Sequence, residues 1–303
     1  MASASEIRIR INSVSETKKV TDAMYMISSV KMRKAKRGLD STKPYFIALR
    51  EEIGDLLQYM PAIKNRYFRI PDKEVVHGKA LLLITSDKGL AGNYNQEAIR
   101  RAEKYLGENS DTVLFPVGEY GRQYFLTHKG PIAEGFICST AFPTIRVAQR
   151  ICEELLEYYR SDKVDEINII YTAFRSATAG ECRTQCLLPL NQSSFYATEE
   201  KIPPYGKTIY PDADTVLNGI VPPYLTGFIY SALVESYCSE QQARMNAMQA
   251  AGDNAEDMLK DLRIQFNSVR QAAITREITE ITAGAKALRA KREKLQKEVR
   301  GNE

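Results

Sequence analysis

The stretch that decides the fold lies near the start of the chain: KVTDAMYMISSVKMRKAKR, Lys19 to Arg37. It is basic, rich in methionine and free of proline and glycine, so it predicts a long uninterrupted helix. Its last seven residues, Lys31–Arg37, include five basic side chains. Such a helix suits nucleic acid, a membrane surface, a partner helix or a mechanical role, and the rest of the chain has to decide between them.

Proline divides the chain into three parts. All twelve prolines lie between Pro44 and Pro223, so both ends of the chain lack this helix breaker. The first helix is expected to continue past Pro44 with a kink and to end near Met60. Residues 224–303 would span about 120 Å as one helix, and helices of that length usually have a partner helix or a sleeve around them.

Apolar spacing assigns faces to these two helices. The first helix has one stripe at Ile7, Ile11 and Val14 and a second at Val20, Met24, Ile27 and Val30. On the last helix, apolar residues step by four and three and predict a coiled-coil seam at Ile274, Ile278, Ile281, Ala285, Leu288, Leu295 and Val299.

The middle of the chain alternates between strand and helix patterns. Strands are predicted at Lys79–Thr85, Thr112–Val117, Glu166–Thr172 and Thr184–Leu190. Helices are predicted at Gln96–Leu106 and Pro143–Arg160. This alternation favours one compact α/β domain inserted between the two long helices.

Composition limits the classes of function. The chain has 303 residues, 44% of them hydrophobic, and a net charge of +4. The charge is uneven, because residues 1–43 carry +6 and residues 286–300 carry +5, which leaves an acidic middle. Five scattered cysteines predict a reducing compartment. We also expect no membrane span, since no apolar run of about 18 residues is evident, and no leader, since the N-terminus lacks a hydrophobic signal core.

Signals for catalysis are weak. The loop ITSDKGLAGNYN, Ile84–Asn95, has glycines that could approach a phosphate, but it has only Gly89-x-x-Gly92, so a structural β–α turn is expected. KIPPYGKT, Lys201–Thr208, ends like a phosphate-binding loop but lacks the first glycine. His77 and His128 are the only histidines, which makes a histidine-based triad or zinc site hard to build. We predict no catalytic residue, cofactor or metal.

The close cysteine pair, Cys182 and Cys186, leaves two interpretations open. Both residues lie in a predicted strand and are expected to be buried as small apolar side chains. A redox switch is the alternative.

Three blocks give the chain a resemblance to the gamma subunits of F-type ATP synthases along nearly its whole length. They are Ile7–Lys36, the loop Ile84–Asn95 and Ala243–Leu288. The resemblance implies an α/β fold class in which two long N- and C-terminal helices form an antiparallel coiled coil with an inserted Rossmann-like α/β domain. The expected domains are residues 1–60, 75–210 and 211–303.

The function that this resemblance implies is that of a rotor shaft. The shaft would turn inside a head of three alpha and three beta subunits and couple ion flow through a membrane c-ring to ATP synthesis or hydrolysis on the beta subunits. An epsilon subunit would be a further partner, nucleic acid would not be one, and the chain itself would not span the membrane. It would be a non-catalytic, peripheral membrane protein on the cytoplasmic face of a bacterial plasma membrane. A tip turning inside the head should expose few large apolar groups.

The resemblance also implies subunit contacts at particular residues. Head contacts are expected at Met24, Lys31, Arg33, Arg244, Gln271, Thr275, Glu277 and Glu280. Ring contacts are expected at Tyr210 and Asp212. The chain continues about fifteen residues beyond Leu288, where family members commonly stop.

Two other classes of function remain as alternatives. One is a nucleotide-binding α/β enzyme that uses the loop Ser86–Asn95, for which the phosphate signature is incomplete. The other is a coiled-coil nucleic-acid binder that uses both basic ends, which the acidic middle opposes.

Overall fold

The computed structural model describes residues 3–59, 63, 65–68, 78–174, 180–195 and 209–300, with the backbone alone at 59, 290 and 292–300. His77 and the stretch Lys201–Thr208 lie outside the described residues, as do the side chains of Leu295 and Val299. The chain divides into two compact units, one made of residues up to 24 and from 248 onwards, the other of residues 25–247. The three domains predicted from the sequence stay a prediction.

The described residues form five α-helices and four β-strands. In chain order they are α1 (Ala4–Tyr59), β1 (Gly78–Ile84), α2 (Tyr94–Glu108), β2 (Thr112–Val117), α3 (Glu119–Thr127), α4 (Ile145–Arg160), β3 (Val164–Ala173), β4 (Glu181–Leu188) and α5 (Ala213–Arg300). Every strand and helix that the sequence predicted is present, within a few residues at each end except at the start of the last helix. The nine-residue helix α3 was not predicted, because it is too short to show a periodic pattern.

The sheet has the strand order β2-β1-β3-β4. The strands β2, β1 and β3 are parallel, and β4 is antiparallel to β3. Alternate side chains of β1 enter two separate cores, with Leu82 and Ile84 in the larger one and Leu81 and Leu83 in the smaller one. The larger core also contains residues of α1, α4 and α5, whereas α2 and α3 cover the opposite face. This is the α/β layer domain that the sequence predicted.

Helix α5 begins earlier than expected and contains two prolines. It starts at Ala213 and includes Pro222 and Pro223, so these residues do not mark the start of the C-terminal helix. Leu217 and Val221 on one face of this segment are fully buried in the larger core. Their burial offsets the backbone hydrogen bonds that the prolines remove.

Within the unit of residues 25–247, α1 and α5 pair antiparallel. As residue numbers rise along α1, the residues they contact on α5 fall. The Cys238 thiol lies 3.9 Å from the Met32 carbonyl oxygen. Further along, Gly38 lies beside the Tyr230 hydroxyl, and Phe46 lies against Gly227. Ala35 and Ile53 of α1 are buried in this interface region and belong to the larger core.

Within the other unit, the two helices are also antiparallel. Lys18 Nζ lies 2.8 Å from Glu256 Oε2, and Gly252 faces Thr21 and Asp22. The buried residues of α5 here step by three and four: Met248, Gly252, Ala255, Leu259 and Leu262. Both helices rise equally per residue, so the same number of residues can be counted along each from the Lys18–Glu256 pair. This count places the first residue of α1 level with about residue 270 of α5.

The seam predicted at Ile274–Leu288 is therefore wrong as an intrachain seam. Its large apolar side chains are exposed, at 47% for Ile274, 57% for Ile278, 72% for Ile281 and 67% for Leu288. The reason is that α1 begins level with about residue 270 and so has no residue beside them. The expectation that this tip would expose few large apolar groups is wrong for the same reason.

The second apolar stripe predicted on α1 is wrong at three of its four positions, since only Met24 is half-buried. Val20, Ile27 and Val30 are exposed, whereas Thr21 and Ser28 are buried. The buried positions continue the spacing that begins at Ile7. Thr21 satisfies its hydroxyl by donating to the Lys18 carbonyl at 2.8 Å, so a small polar residue can occupy the seam.

The cysteine prediction is right for one residue and wrong for the other. Cys182 is buried and contributes to the smaller core. Cys186, near the other end of the same strand, is exposed.

Candidate functional site

The loop between β1 and α2 is a closed, hydrogen-bonded turn. The Ser86 amide donates to Asn95 Oδ1 at 2.9 Å, and Asn95 Nδ2 donates to Ser86 Oγ at 2.7 Å. Leu90 (φ 64°) and Gly92 (φ 54°) adopt left-handed backbone conformations. Both Ser86 and Asn95 are buried. The geometry agrees with the structural β–α turn expected from the sequence.

Asp87 fastens this loop to the segment that precedes α4 and to the start of α3. Its carboxylate accepts hydrogen bonds from the Ser139 hydroxyl at 2.6 Å and from the Thr140 amide at 3.0 Å. It also accepts one from the amide of Glu119, the first residue of α3, at 3.1 Å. A carboxylate at a helix N-terminus is stabilised by the helix dipole as well as by these donors.

Arg244 of α5 fastens the same loop from the other side. Its Nη1 lies 2.6 Å from Glu240 Oε1, one helical turn earlier. Its Nη2 donates to the carbonyl oxygens of Gly89 at 3.1 Å and Lys88 at 3.3 Å. The Arg244 side chain is only 11% exposed. Burial raises the pKa of Glu240, and the charge of Arg244 opposes that rise.

A groove of about 520 Å³ lies beside this loop, and its chemistry disfavours a phosphate group. Its walls come from the start of α2, the ends of β3 and β4, and α5. The described lining residues include the carboxylate of Glu97 but no lysine or arginine. Phosphate recognition normally needs cationic or amide donors without an opposing carboxylate, so the nucleotide-binding alternative gains no support here.

The basic stretch of α1 presents all five of its charged side chains to solvent. Lys31, Arg33, Lys34, Lys36 and Arg37 are exposed, while Met32 is half-buried and Ala35 is buried. Lys34 Nζ lies 5.0 Å from the centre of the Phe142 ring. The predicted contact residues Lys31 and Arg33 therefore lie on an accessible cationic surface. Met24 is half-buried, and it is in the other unit.

The C-terminal part of α5 carries the other predicted head contacts. Gln271, Thr275, Glu277 and Glu280 are all exposed. They share this segment with the exposed isoleucines at 274, 278 and 281. A helix with this much uncovered apolar surface is typical of a segment that another protein covers.

The predicted ring contacts flank the start of α5 and differ in their environments. The Tyr210 side chain is 87% exposed. Asp212 caps the helix instead, since its carboxylate accepts from the Thr215 amide and the Thr215 hydroxyl, each at 2.8 Å. These bonds lower the pKa of Asp212.

The described residues offer no cluster of metal ligands and one apolar helical window. No group of three or more metal-ligating side chains occurs among the described residues. One 18-residue window of α5 is apolar enough to cross a bilayer, contrary to the sequence analysis, but 44% of it is buried inside the protein. A buried core helix meets the same criterion, so the window is weak support for a membrane span.

Sequence comparison relates the chain to a known family. A family model described as ATP synthase matches residues 3–288. The ATP synthase gamma chain of Acetivibrio thermocellus is 38% identical over 295 residues, which cover 95% of this chain and 100% of that protein. A gamma chain named as sodium ion specific, from Acetobacterium woodii, is 33% identical over 298 residues and covers 93% of this chain and 98% of its own length.

Structural comparison supports the same fold. A chain in the central stalk and c-ring structure of the Tetrahymena thermophila mitochondrial ATP synthase has a TM-score of 0.58 at 24% identity, covering 77% of this chain and 99% of that one. A chain of the Euglena gracilis mitochondrial ATP synthase has a TM-score of 0.62 at 15% identity, covering 94% and 95%. At these identities the similarity shows the fold.

Proposed function

Since this chain belongs to the family of ATP synthase gamma chains, we propose that it is the central rotor shaft of an F-type ATP synthase. It is a non-catalytic subunit of a membrane-associated complex. It transmits rotation between a membrane c-ring and a head of alpha and beta subunits, and the beta subunits carry out the bond chemistry.

The observation that carries this proposal is the exposure of the side chains on α5 beyond about residue 270. Every described side chain from 271 to 289 is exposed, including three isoleucines. A single helix that exposes such residues gains little stability from packing within its own chain. A surrounding sleeve of head subunits would cover this apolar surface and hold the helix as a bearing.

The antiparallel helix pairs supply the resistance to twisting that a shaft needs. Two packed helices resist twisting better than one, because rotation of one helix must drag the buried side chains of the other. The exposed cations Lys31 and Arg33 suit an acidic surface on the beta subunits. Partly solvated ion pairs are weak, so such contacts can form and break as the shaft turns.

The remaining partners follow from the same role. Tyr210, just before α5, would contact the c-ring, and its 87% exposure supports this part of the proposal. Asp212 would act there mainly by holding the first turn of α5, given its bonds to Thr215. An epsilon subunit would bind the rotor as well. The chain would lie on the cytoplasmic face of a bacterial plasma membrane.

Reconstitution tests this function directly. The full chain is mixed with purified alpha and beta subunits of the same organism, and assembly and steady-state ATP hydrolysis are measured. We expect one copy of the chain in each assembly and sustained hydrolysis. A truncation after Arg270 and the double variant Gln271→Ala/Thr275→Ala should both lower hydrolysis, because they remove the tip or its polar contacts.

The matched control is Gln123→Ala/Thr127→Ala on α3. This pair has the same residue types, the same spacing and similar exposure, but it lies on the α/β domain. It should leave hydrolysis unchanged. Failure to assemble, together with nucleotide or salt-dependent DNA binding by the chain alone, would favour the alternatives over the rotor.

A further inference from the structure

The tip of the β1–α2 loop, Lys88–Leu90, is exposed, and hydrogen bonds from buried side chains hold its conformation. Lys88 and Leu90 are both exposed, and Leu90 holds a left-handed backbone conformation at φ 64°. That conformation is uncommon for a leucine and persists only where the surroundings fix it. The contacts that fix it are therefore of functional interest.

The two ends of the loop and its tip are held by separate hydrogen bonds, and Ser86 takes part in both sets. Ser86, Asn95 and Asp87 hold the ends through the hydrogen bonds described above. At the tip, the Ser86 hydroxyl donates to the Lys88 carbonyl at 2.6 Å. The guanidinium of Arg244 donates to the Lys88 and Gly89 carbonyls together and joins the tip to α5.

We propose that Arg244 is a positioning residue, which clamps the loop tip Lys88–Leu90 onto the shaft helix, rather than a residue that contacts the head itself. This inference rests on the proposed rotor function. The side chain is almost fully buried, and its two terminal nitrogens are engaged by Glu240 and by the two loop carbonyls. A rigid link between α5 and the tip lets the exposed side chains of Lys88 and Leu90 turn with the shaft.

The geometry requires arginine. Its planar fork reaches Glu240 with one terminal nitrogen and two carbonyls with the other, whereas a lysine ammonium offers one point charge on a flexible stem. Arg244→Lys should therefore release the tip although it keeps the charge. Removing the charge alone would leave Glu240 buried and unpaired and could unfold the region. The double variant Arg244→Met/Glu240→Gln avoids this by removing both charges at similar volume.

Hydrogen exchange of the free full-length chain is the first measurement. Both Arg244→Lys and Arg244→Met/Glu240→Gln should speed exchange in the peptide covering residues 84–95 by about tenfold, the factor that one or two lost hydrogen bonds would give. The peptide covering β3 should be unchanged, which shows that the fold is intact. Arg33→Ala, an exposed arginine at a predicted head contact, is the control and should leave residues 84–95 unchanged.

The second measurement is a double-mutant cycle in the reconstituted assembly. If Arg244 acts through the tip, Arg244→Met/Glu240→Gln and Lys88→Ala/Leu90→Ala should each lower ATP hydrolysis, and their combination should add little. Additive losses with unchanged exchange at residues 84–95 would overturn the proposal and make Arg244 a direct contact. Failure of the unaltered chain to assemble would instead count against the rotor function, so the two failures are distinguishable.

Discussion

Gly227 on α5 is the position where a single methyl group should test the packing of the two long helices. A Cβ at residue 227 would overlap the ring of Phe46 on α1, with three ring carbons inside contact distance. Gly219 on the same helix is the matched control, since a Cβ there meets nothing within 4 Å. Both glycines lie inside α5, so each replacement by alanine gains about 1 kcal/mol of helix propensity.

The difference between the two variants isolates the cost of the overlap. Overpacking a closed interface typically costs about 1–3 kcal/mol. Gly219→Ala should therefore stabilise the chain, and Gly227→Ala should be less stable than Gly219→Ala by about 1–3 kcal/mol. With an unfolding entropy of about 2.1 cal/mol/K per residue, each kcal/mol corresponds to about 1.6 °C in the melting temperature of this 303-residue chain.

The assay is urea and thermal unfolding followed by far-UV circular dichroism. Adding Phe46→Leu to Gly227→Ala should recover part of the loss, because the smaller side chain makes room for the methyl group. Equal stabilities for Gly219→Ala and Gly227→Ala would refute the close approach of the two helices at this level.

Three further predictions follow from burial and hydrogen bonding. Leu262→Ala shortens a side chain that is only 5% exposed. It should lower the free energy needed to open its helix pair by about 2–4 kcal/mol. Ile278→Ala, on the exposed tip, should change the opening free energy by no more than about 0.5 kcal/mol. Hydrogen exchange measured on the two segments compares the two variants. Burial raises the pKa of Glu235 above its ordinary value of 4.5, so its contribution to stability is present below that pH and is lost as pH rises through the folded-state pKa. Urea unfolding between pH 4.5 and 7 should thus show a loss of unfolding free energy that is smaller in Glu235→Gln than in the unaltered chain, and Glu240, whose pKa is also raised, accounts for part of the remainder. The buried Tyr237 hydroxyl has no hydrogen-bond partner among the described residues, so Tyr237→Phe should leave stability unchanged or raise it by up to about 1 kcal/mol. Tyr159→Phe should instead lose about 1 kcal/mol in the same unfolding assay, because its hydroxyl donates to the Arg66 carbonyl at 2.7 Å.

The sequence by itself determined the order and type of nearly all elements. Proline-free ends predicted the two long helices, and strand–helix alternation predicted the α/β layer between them. These features are local, because backbone preferences and apolar periodicity act over a few turns or one strand. Three sequence blocks were also sufficient to indicate the family.

Only the tertiary structure decided which helix faces are covered. Thr21 and Ser28 lie in the buried seam of α1, while Val20 and Ile27 face solvent, and hydrophobicity alone predicts the reverse. The seam expected at Ile274 is uncovered, because α1 begins only at the level of about residue 270 and has no residue beside it. Arg244 turns inward to Glu240 and the loop carbonyls, although its sequence position had suggested a surface contact. Each of these outcomes depends on where a distant part of the chain lies, and no local pattern in the sequence carries that information.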